Sequence, residues 1–219
     1  MLIEPINEIR RAFVLMVTFL SLLNVWAQNE NGNNLDQEKR FYKDERDGNV
    51  YETILLNDLR WFKGSLRYVS ERSFFRNKDS VSNANFYAHL EAENVCPSGW
   101  RLPNFEEWKK YILFIEKHQN ASKTKIKSTE NSFRYRSKDI DFYSKDNPLD
   151  VQRIGRVEKG QLIMFSGSDY WVEGAKNELT HVHFLGPGFV NIHSHTEDVF
   201  EDNEVLRMFK VKCVCENDN

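Results

Sequence analysis

The stretch Cys96-Pro-Ser-Gly-Trp-Arg-Leu-Pro-Asn-Phe-Glu-Glu-Trp108 decides how this chain is read. Pro103 holds Leu102 extended, so a helix starts only after it. Asn104 is then a good N-cap, because its short side-chain oxygen accepts from a free amide of the first turn. Glu107, three residues on, completes a capping box with Asn in the Ser/Thr place. Glu106 and Glu107 also set negative charge at the positive end of the helix dipole. Phe105, Trp108, Ile112 and Ile115 then share one face at helical spacing, which predicts a helix from about Phe105 to Lys117. Trp108 belongs to the core, and Trp100 packs under the Pro-Ser-Gly turn.

Upstream, Asp47-Gly48 is a turn signal, Val50 to Leu56 reads as a strand, and Asn57-Asp58 turns it into a return over Leu59 to Phe62. Ser65 to Tyr68 continues extended. Ser70 to Asn83 is a charged loop, and Phe86 to Leu90 a short helix leading to Cys96. Downstream, residues 118–150 are rich in Lys, Ser, Asn and Asp, and read as a long solvated surface insertion. Within it Phe133-Arg-Tyr-Arg136 alternates as one short strand would. Leu162 to Phe165 reads as a buried strand, Ser166 to Asp169 as a turn, and Tyr170 to Val172 as a further strand. Val205 to Val214 alternates as a closing strand.

The Cys-Pro-Ser-Gly-Trp-Arg-Leu-Pro run followed by Glu-Trp resembles the signature of the Fibrobacter succinogenes major paralogous domain. Three other stretches match in order. They are Asp47-Gly-Asn-Val-Tyr-Glu-Thr-Ile54 with Trp61 and Leu66-Arg-Tyr68, then Gly160-Gln-Leu-Ile-Met-Phe-Ser-Gly-Ser-Asp-Tyr-Trp171, then Phe209-Lys-Val-Lys-Cys-Val214. The resemblance covers about Asp47 to Val214. It implies an α+β, C-type-lectin-like fold of twisted antiparallel sheets with one main helix, in a single domain over about 45–216. It implies an exported bacterial protein, as in the Bacteroidota. It also aligns Cys213 with the family's closing-strand cysteine, which makes Cys96–Cys213 the expected disulfide.

Three cysteines leave one over. Cys215 lies two residues beyond Cys213, on the same face of a strand, and is the alternative partner of Cys96. Cys-x-Cys is not the usual spacing of a zinc knuckle.

The N-terminus reads as a signal peptide over 1–27: Arg10-Arg11, an apolar run from Ala12 to Leu23, and Val25-Trp-Ala27 as the cleavage site. The run is shorter than the ~20 apolar residues of a spanning helix and is broken by Asn24. Residues 28–44 are polar and read as a flexible leader. No cysteine lies near the cleavage site, so no lipid anchor is expected. The destination is the periplasm, the cell surface or the exterior, where disulfides persist. The formal charge is −3, too small to steer the protein toward nucleic acid.

Two constellations are candidate sites. Asp169, Tyr170 and Trp171 are the residues to watch for a ligand face, with a core position for Trp171 as the alternative. The other is Thr180-His-Val-His-Phe-Leu-Gly-Pro-Gly-Phe-Val-Asn-Ile-His-Ser-His195. Val182, Phe184, Val190 and Ile192 must share a buried face. A three-residue loop pairs Val182 with Ile192 and His181 with His193, which puts His181, His183, His193 and His195 on one outer face. Such imidazoles suit Zn, Cu or Ni, and a polar face without ligand fits the pattern equally. An orienting carboxylate is not obvious, Glu197 and Asp198 being the nearest. The acidic run Glu197 to Glu204 offers oxygens to Ca, but the Glu-Pro-Asn, Gln-Pro-Asp and Trp-Asn-Asp motifs of calcium-dependent lectins are missing. No resident cofactor is therefore expected. No catalytic signature stands out. The expected function is a non-enzymatic binding module for extracellular carbohydrate or protein; the alternatives are a structural or adhesin subunit of a surface assembly, or a metal-binding protein that uses the His181, His183, His193 and His195 patch.

Overall fold

The structure, a computed structural model, describes residues 40–74, 84–165, 167–174, 178–196 and 207–217. The expected signal peptide, the first part of the leader and the acidic run over 197–204 lie outside the described residues. The strands are β1 (Arg40–Lys43), β2 (Val50–Leu56), β3 (Leu59–Phe62), β4 (Thr124–Ser128), β5 (Ser132–Ser137), β6 (Arg156–Glu158), β7 (Gln161–Ile163), β8 (Ser168–Val172), β9 (Glu178–Gly186), β10 (Phe189–Thr196), β11 (Arg207–Met208) and β12 (Val214–Glu216). Two helices, α1 (His89–Val95) and α2 (Phe105–His118), join them in a mixed α+β architecture. The strands form three sheets, ordered β1-β2-β3-β12, β4-β5-β10-β9-β8 and β11-β6-β7, and every ladder between them is antiparallel.

The quoted stretch ties these sheets together. Cys96 is disulfide-bonded to Cys213, while Cys215 is half-buried and outside that bond. Arg101 and Val214 exchange backbone hydrogen bonds at 2.9 and 2.8 Å, and the Pro103 carbonyl accepts from Glu173 N–H at 2.9 Å. The capping box forms in full: Asn104 Oδ1 accepts from Glu107 N–H at 3.0 Å, and Glu107 Oε2 accepts from Asn104 N–H at 2.8 Å. Glu107 also takes Arg101 at 2.6 Å, and the same guanidinium reaches Glu173 and Glu216 at 3.5 and 3.4 Å. One buried-edge cation thus joins the helix start, the end of β8 and the last strand.

The buried face of α2 carries Trp108, Tyr111, Ile112 and Ile115. It packs on one face of the five-stranded sheet, formed by Phe133, Tyr135, Tyr170, Val172, Val182, Phe184, Val190 and Ile192. A second core surrounds Phe62, Trp171, Phe209, Val211 and the disulfide.

Several expectations are corrected. Residues 118–150 are not solvated throughout. They supply the β4–β5 hairpin, and Phe133, Tyr135, Phe142 and Leu149 are buried. The alternation read over Phe133-Arg-Tyr-Arg136 is part of β5, whose inward residues Phe133 and Tyr135 are aromatic. The leader ends earlier than 44, because Arg40–Lys43 pairs with β2 and Asp44 is buried against Arg46 at 2.7 Å. The short helix begins at His89, while Phe86 and Tyr87 make isolated bridges to Phe74 and Phe209. The strand expected over Leu162 to Phe165 is the exposed edge β7, with Ile163 38% and Met164 58% accessible. The closing strand is broken into β11 and β12 around an irregular run that buries Phe209, Val211 and Cys213.

The β9–β10 hairpin keeps the expected register: Val182 pairs with Ile192 and His181 with His193, with an irregularity between Phe189 and Val190. Its turn lies tightly on the end of β5. A Cβ on Gly188 would meet the Ser137 carbonyl oxygen at 1.9 Å, so only glycine fits there.

Candidate functional sites: a polar sheet face and a cleft

The second face of the five-stranded sheet carries two cross-strand rows. One row is Asp169–His183–Asn191–Arg134 and the other is Trp171–His181–His193–Ser132. In the first row Asp169 is fully buried, and its Oδ1 takes His183 Nδ1. This hydrogen bond fixes the orientation of the imidazole ring on the sheet face. Arg156 Nη1 approaches the other Asp169 oxygen at 3.5 Å, and Phe165 stacks on the His183 ring at 5.5 Å. Further along the row, Arg134 Nε donates to Asn191 Oδ1 at 3.1 Å. The carboxylate that orients a histidine is therefore Asp169 from the neighbouring strand. Glu197 and Asp198 lie outside the described residues.

Asp169, Tyr170 and Trp171 do not form an exposed ligand face. All three are buried, because β8 is covered on both sides. Tyr170 faces α2, and Trp171 packs on Phe209 at 4.4 Å while its Nε1 donates to the Tyr87 carbonyl at 2.7 Å. His181 and His193 lie side by side, their ring centroids 6.1 Å apart. His181 also packs on Phe209, at 5.0 Å, so the second core overlaps the histidine face. The His195 side chain lies outside the described residues. Among the described residues no three His, Cys, Asp or Glu side chains form a metal-holding group.

Sequence reasoning missed two buried lysines. Lys210 and Lys212 alternate with Phe209, Val211 and Cys213, yet both are fully buried. Lys210 Nζ donates to the Gln152 carbonyl at 2.9 Å and to Ser168 Oγ. Lys212 Nζ donates to the carbonyls of Lys63 and Asp150 at 2.6 and 3.1 Å. The Tyr170 ring lies beside both ammonium groups, 4.6 and 5.4 Å from its centroid, an arrangement that favours the cations. Ser168 and Lys210 pair a hydroxyl with an amine base, but Ser168 is completely buried and cannot meet a substrate. Their role is to hold the loops over 63–65 and 150–152 against the closing segment.

Burial pushes both lysines down to about 7, the neighbouring Lys212 adding to the effect on Lys210. The folded pKa is thus below the unfolded one, and between pH 7 and about 10 the unfolded chain binds more protons. Stability should therefore rise with pH through that window. The denaturant midpoint is expected to increase from pH 7 to 9, and the Lys210→Met/Lys212→Met variant to lose most of that slope. A flat wild-type profile would show that both amines keep ordinary proton affinity in the folded state.

The loops held by these lysines border a cleft of about 490 Å³, lined by β2 and by residues from Lys63–Arg67 and Tyr143–Gln152. The size is that of a small-ligand site. Ser65, in its lining, is hydrogen-bonded to the buried Tyr170, while Arg67 Nε and Gln152 Oε1 are buried with no hydrogen-bond partner among the described residues. No sequence pattern pointed here, because the walls come from segments about eighty residues apart. Among the described residues, no helix is long and apolar enough to cross a membrane.

No family model, curated protein or solved structure matches the chain.

Proposed function

We propose that the protein is an exported, non-enzymatic binding module with a C-type-lectin-like domain related to the Fibrobacter succinogenes major paralogous domain, and that it takes an extracellular carbohydrate in the Ser65–Gln152 cleft. The observation that carries this reading is the cleft itself: it has the volume of a small-ligand site and is lined by polar and charged side chains from two distant segments. The signature around Cys96–Trp108 and the apolar N-terminal run support the family and the export. The disulfide supports an oxidising destination.

Gly64 gives a clean test. It lines the cleft, and a Cβ built on it meets no atom within 4 Å, so Gly64→Trp fills the opening without displacing the core. On a glycan array the purified protein is expected to retain a subset of sugars, and Gly64→Trp to lose them with an unchanged circular dichroism spectrum. An array without hits, or hits equally retained by the variant, would sink the reading.

A further inference from the structure

Strand β4, Thr124-Lys-Ile-Lys-Ser128, is an outer strand of the five-stranded sheet, with β5 on one side. Among the described residues no strand pairs with its other side, and Lys125 to Ser128 are exposed. An edge strand turns alternate N–H and C=O groups outward, where a further strand can pair with them. The side chains give that edge a sign. Lys125 pairs with Arg136 and Lys127 with Arg134, so four exposed cations share the sheet face turned away from α2. Opposed residues lie about 5 Å apart, and alternate residues along a strand about 7 Å apart. Like charges set directly opposite each other oppose folding, and among the described residues no carboxylate pairs with any of the four. Arg134 bonds only the neutral Asn191, at 3.1 Å. The carboxylates nearest in sequence are Glu130, in the turn, and Asp139, which accepts from the amides of Ser122 and Lys123 at 3.1 and 3.2 Å. On the other face Ile126 stands opposite the buried Tyr135 yet is 45% accessible, so the rim of the core face is open at β4.

We propose that β4 takes up an extended acidic segment of a partner protein as an added strand. The segment carries Glu or Asp at alternate positions, opposite Lys125 and Lys127, with a β-branched residue between them opposite Ile126. Carboxylates two residues apart on a strand repeat at about 7 Å, the same spacing as the two lysines. A compact polyanion would meet the charges but leave the ladder groups unpaired and Ile126 uncovered. The charges also decide against a second copy of β4. Antiparallel pairing about Ile126 would set Lys125 of each copy against Lys127 of the other, and edge lysines guard against such contacts. An acidic strand is the partner that they admit. The surface is separate from the cleft, whose lining includes no residue of β4 or β5. Added salt weakens the contact, because its charges lie at an open face.

The experiment is a chemical-shift titration of the ¹⁵N-labelled protein with the acetylated, amidated peptide Ser-Thr-Glu-Val-Glu-Thr-Ser. Resonances of 124–128 and 134–136 are expected to move. The peptide with Gln for both Glu should bind severalfold more weakly. The Glu peptide N-methylated along its backbone keeps the charges but loses the ladder donors, and it should not bind. In Lys125→Glu/Lys127→Glu, changed at exposed positions, the Glu peptide should be lost and the peptide with Lys for both Glu gained. That gain needs a folded sheet, so it separates lost charge from lost structure. Gly64→Trp should bind the Glu peptide as wild type does. The Gln or N-methylated peptide binding as well as the Glu peptide would overturn the proposal, as would no shift of 124–128 at millimolar peptide. A heparin oligosaccharide moving the same resonances at lower concentration would overturn it in favour of a polyanion surface. Shifts of 124–128 that grow with protein concentration alone would overturn it in favour of a second copy.

Discussion

Replacing Cys96 with serine is expected to lower folding stability by ~5 kcal/mol, the largest effect of any single change outside the central core. The disulfide joins residues 117 apart in sequence, so its loss frees a long loop in the unfolded chain. In the chain-entropy description that freedom alone is worth ~5 kcal/mol at room temperature. The native state loses a tether too, because Cys213 belongs to the irregular segment that carries Phe209, Val211 and the two lysines. A denaturant titration of Cys96→Ser against oxidised wild type checks the size. Reduction of the wild type with dithiothreitol should give the same midpoint, and a reduced protein as stable as the oxidised one would refute the account.

Trp108→Ala is the second large effect, with an expected loss of about 3–5 kcal/mol. The indole is completely buried. It meets Trp61 edge-on at 5.3 Å, and Tyr111, Tyr170 and Phe184 at 5.8, 5.7 and 6.0 Å. It therefore links α2 to both the β2–β3 hairpin and the five-stranded sheet, and truncation leaves a void that rigid aromatic neighbours fill poorly. Trp108→Phe should cost clearly less, because Nε1 has no hydrogen-bond partner among the described residues and most of the ring contacts survive. Thermal unfolding of the two variants beside wild type gives the ordering. Equal losses would mean that the indole nitrogen matters after all.

Local patterns were legible where one segment contained the whole cause. The α2 start follows from Leu102-Pro103-Asn104 and Glu107, all within one turn, and the capping box forms as read. The Asn57-Asp58 turn has both residues at positive φ, 50 and 66°, as a tight hairpin demands. The β9–β10 register agrees with the apolar alternation of Val182, Phe184, Val190 and Ile192, because a one-residue slip of either strand would turn its apolar pair outward. The disulfide was expected through resemblance, with Cys215 left open as a partner by the sequence. The tertiary structure chose Cys213 by placing it in the second core beside Cys96.

What the amino-acid sequence by itself determined was the set of elements whose signals are local: caps, turns and faces with a clear period. Tertiary structure decided the rest. β5 reads as solvated by composition, yet it is buried because β10 lies beside it and α2 covers its aromatic face. Asp169 finds His183 only through the β8–β9 pairing, and no spacing along the chain encodes that neighbour. Lys210 and Lys212 look like the solvated side of a strand. They are buried because loops from 63–65 and 150–152 close over them and offer carbonyl oxygens in place of water. The cleft is the same case: its walls are distant segments, and their partnership is set by packing, which sums many weak contacts that no short stretch contains.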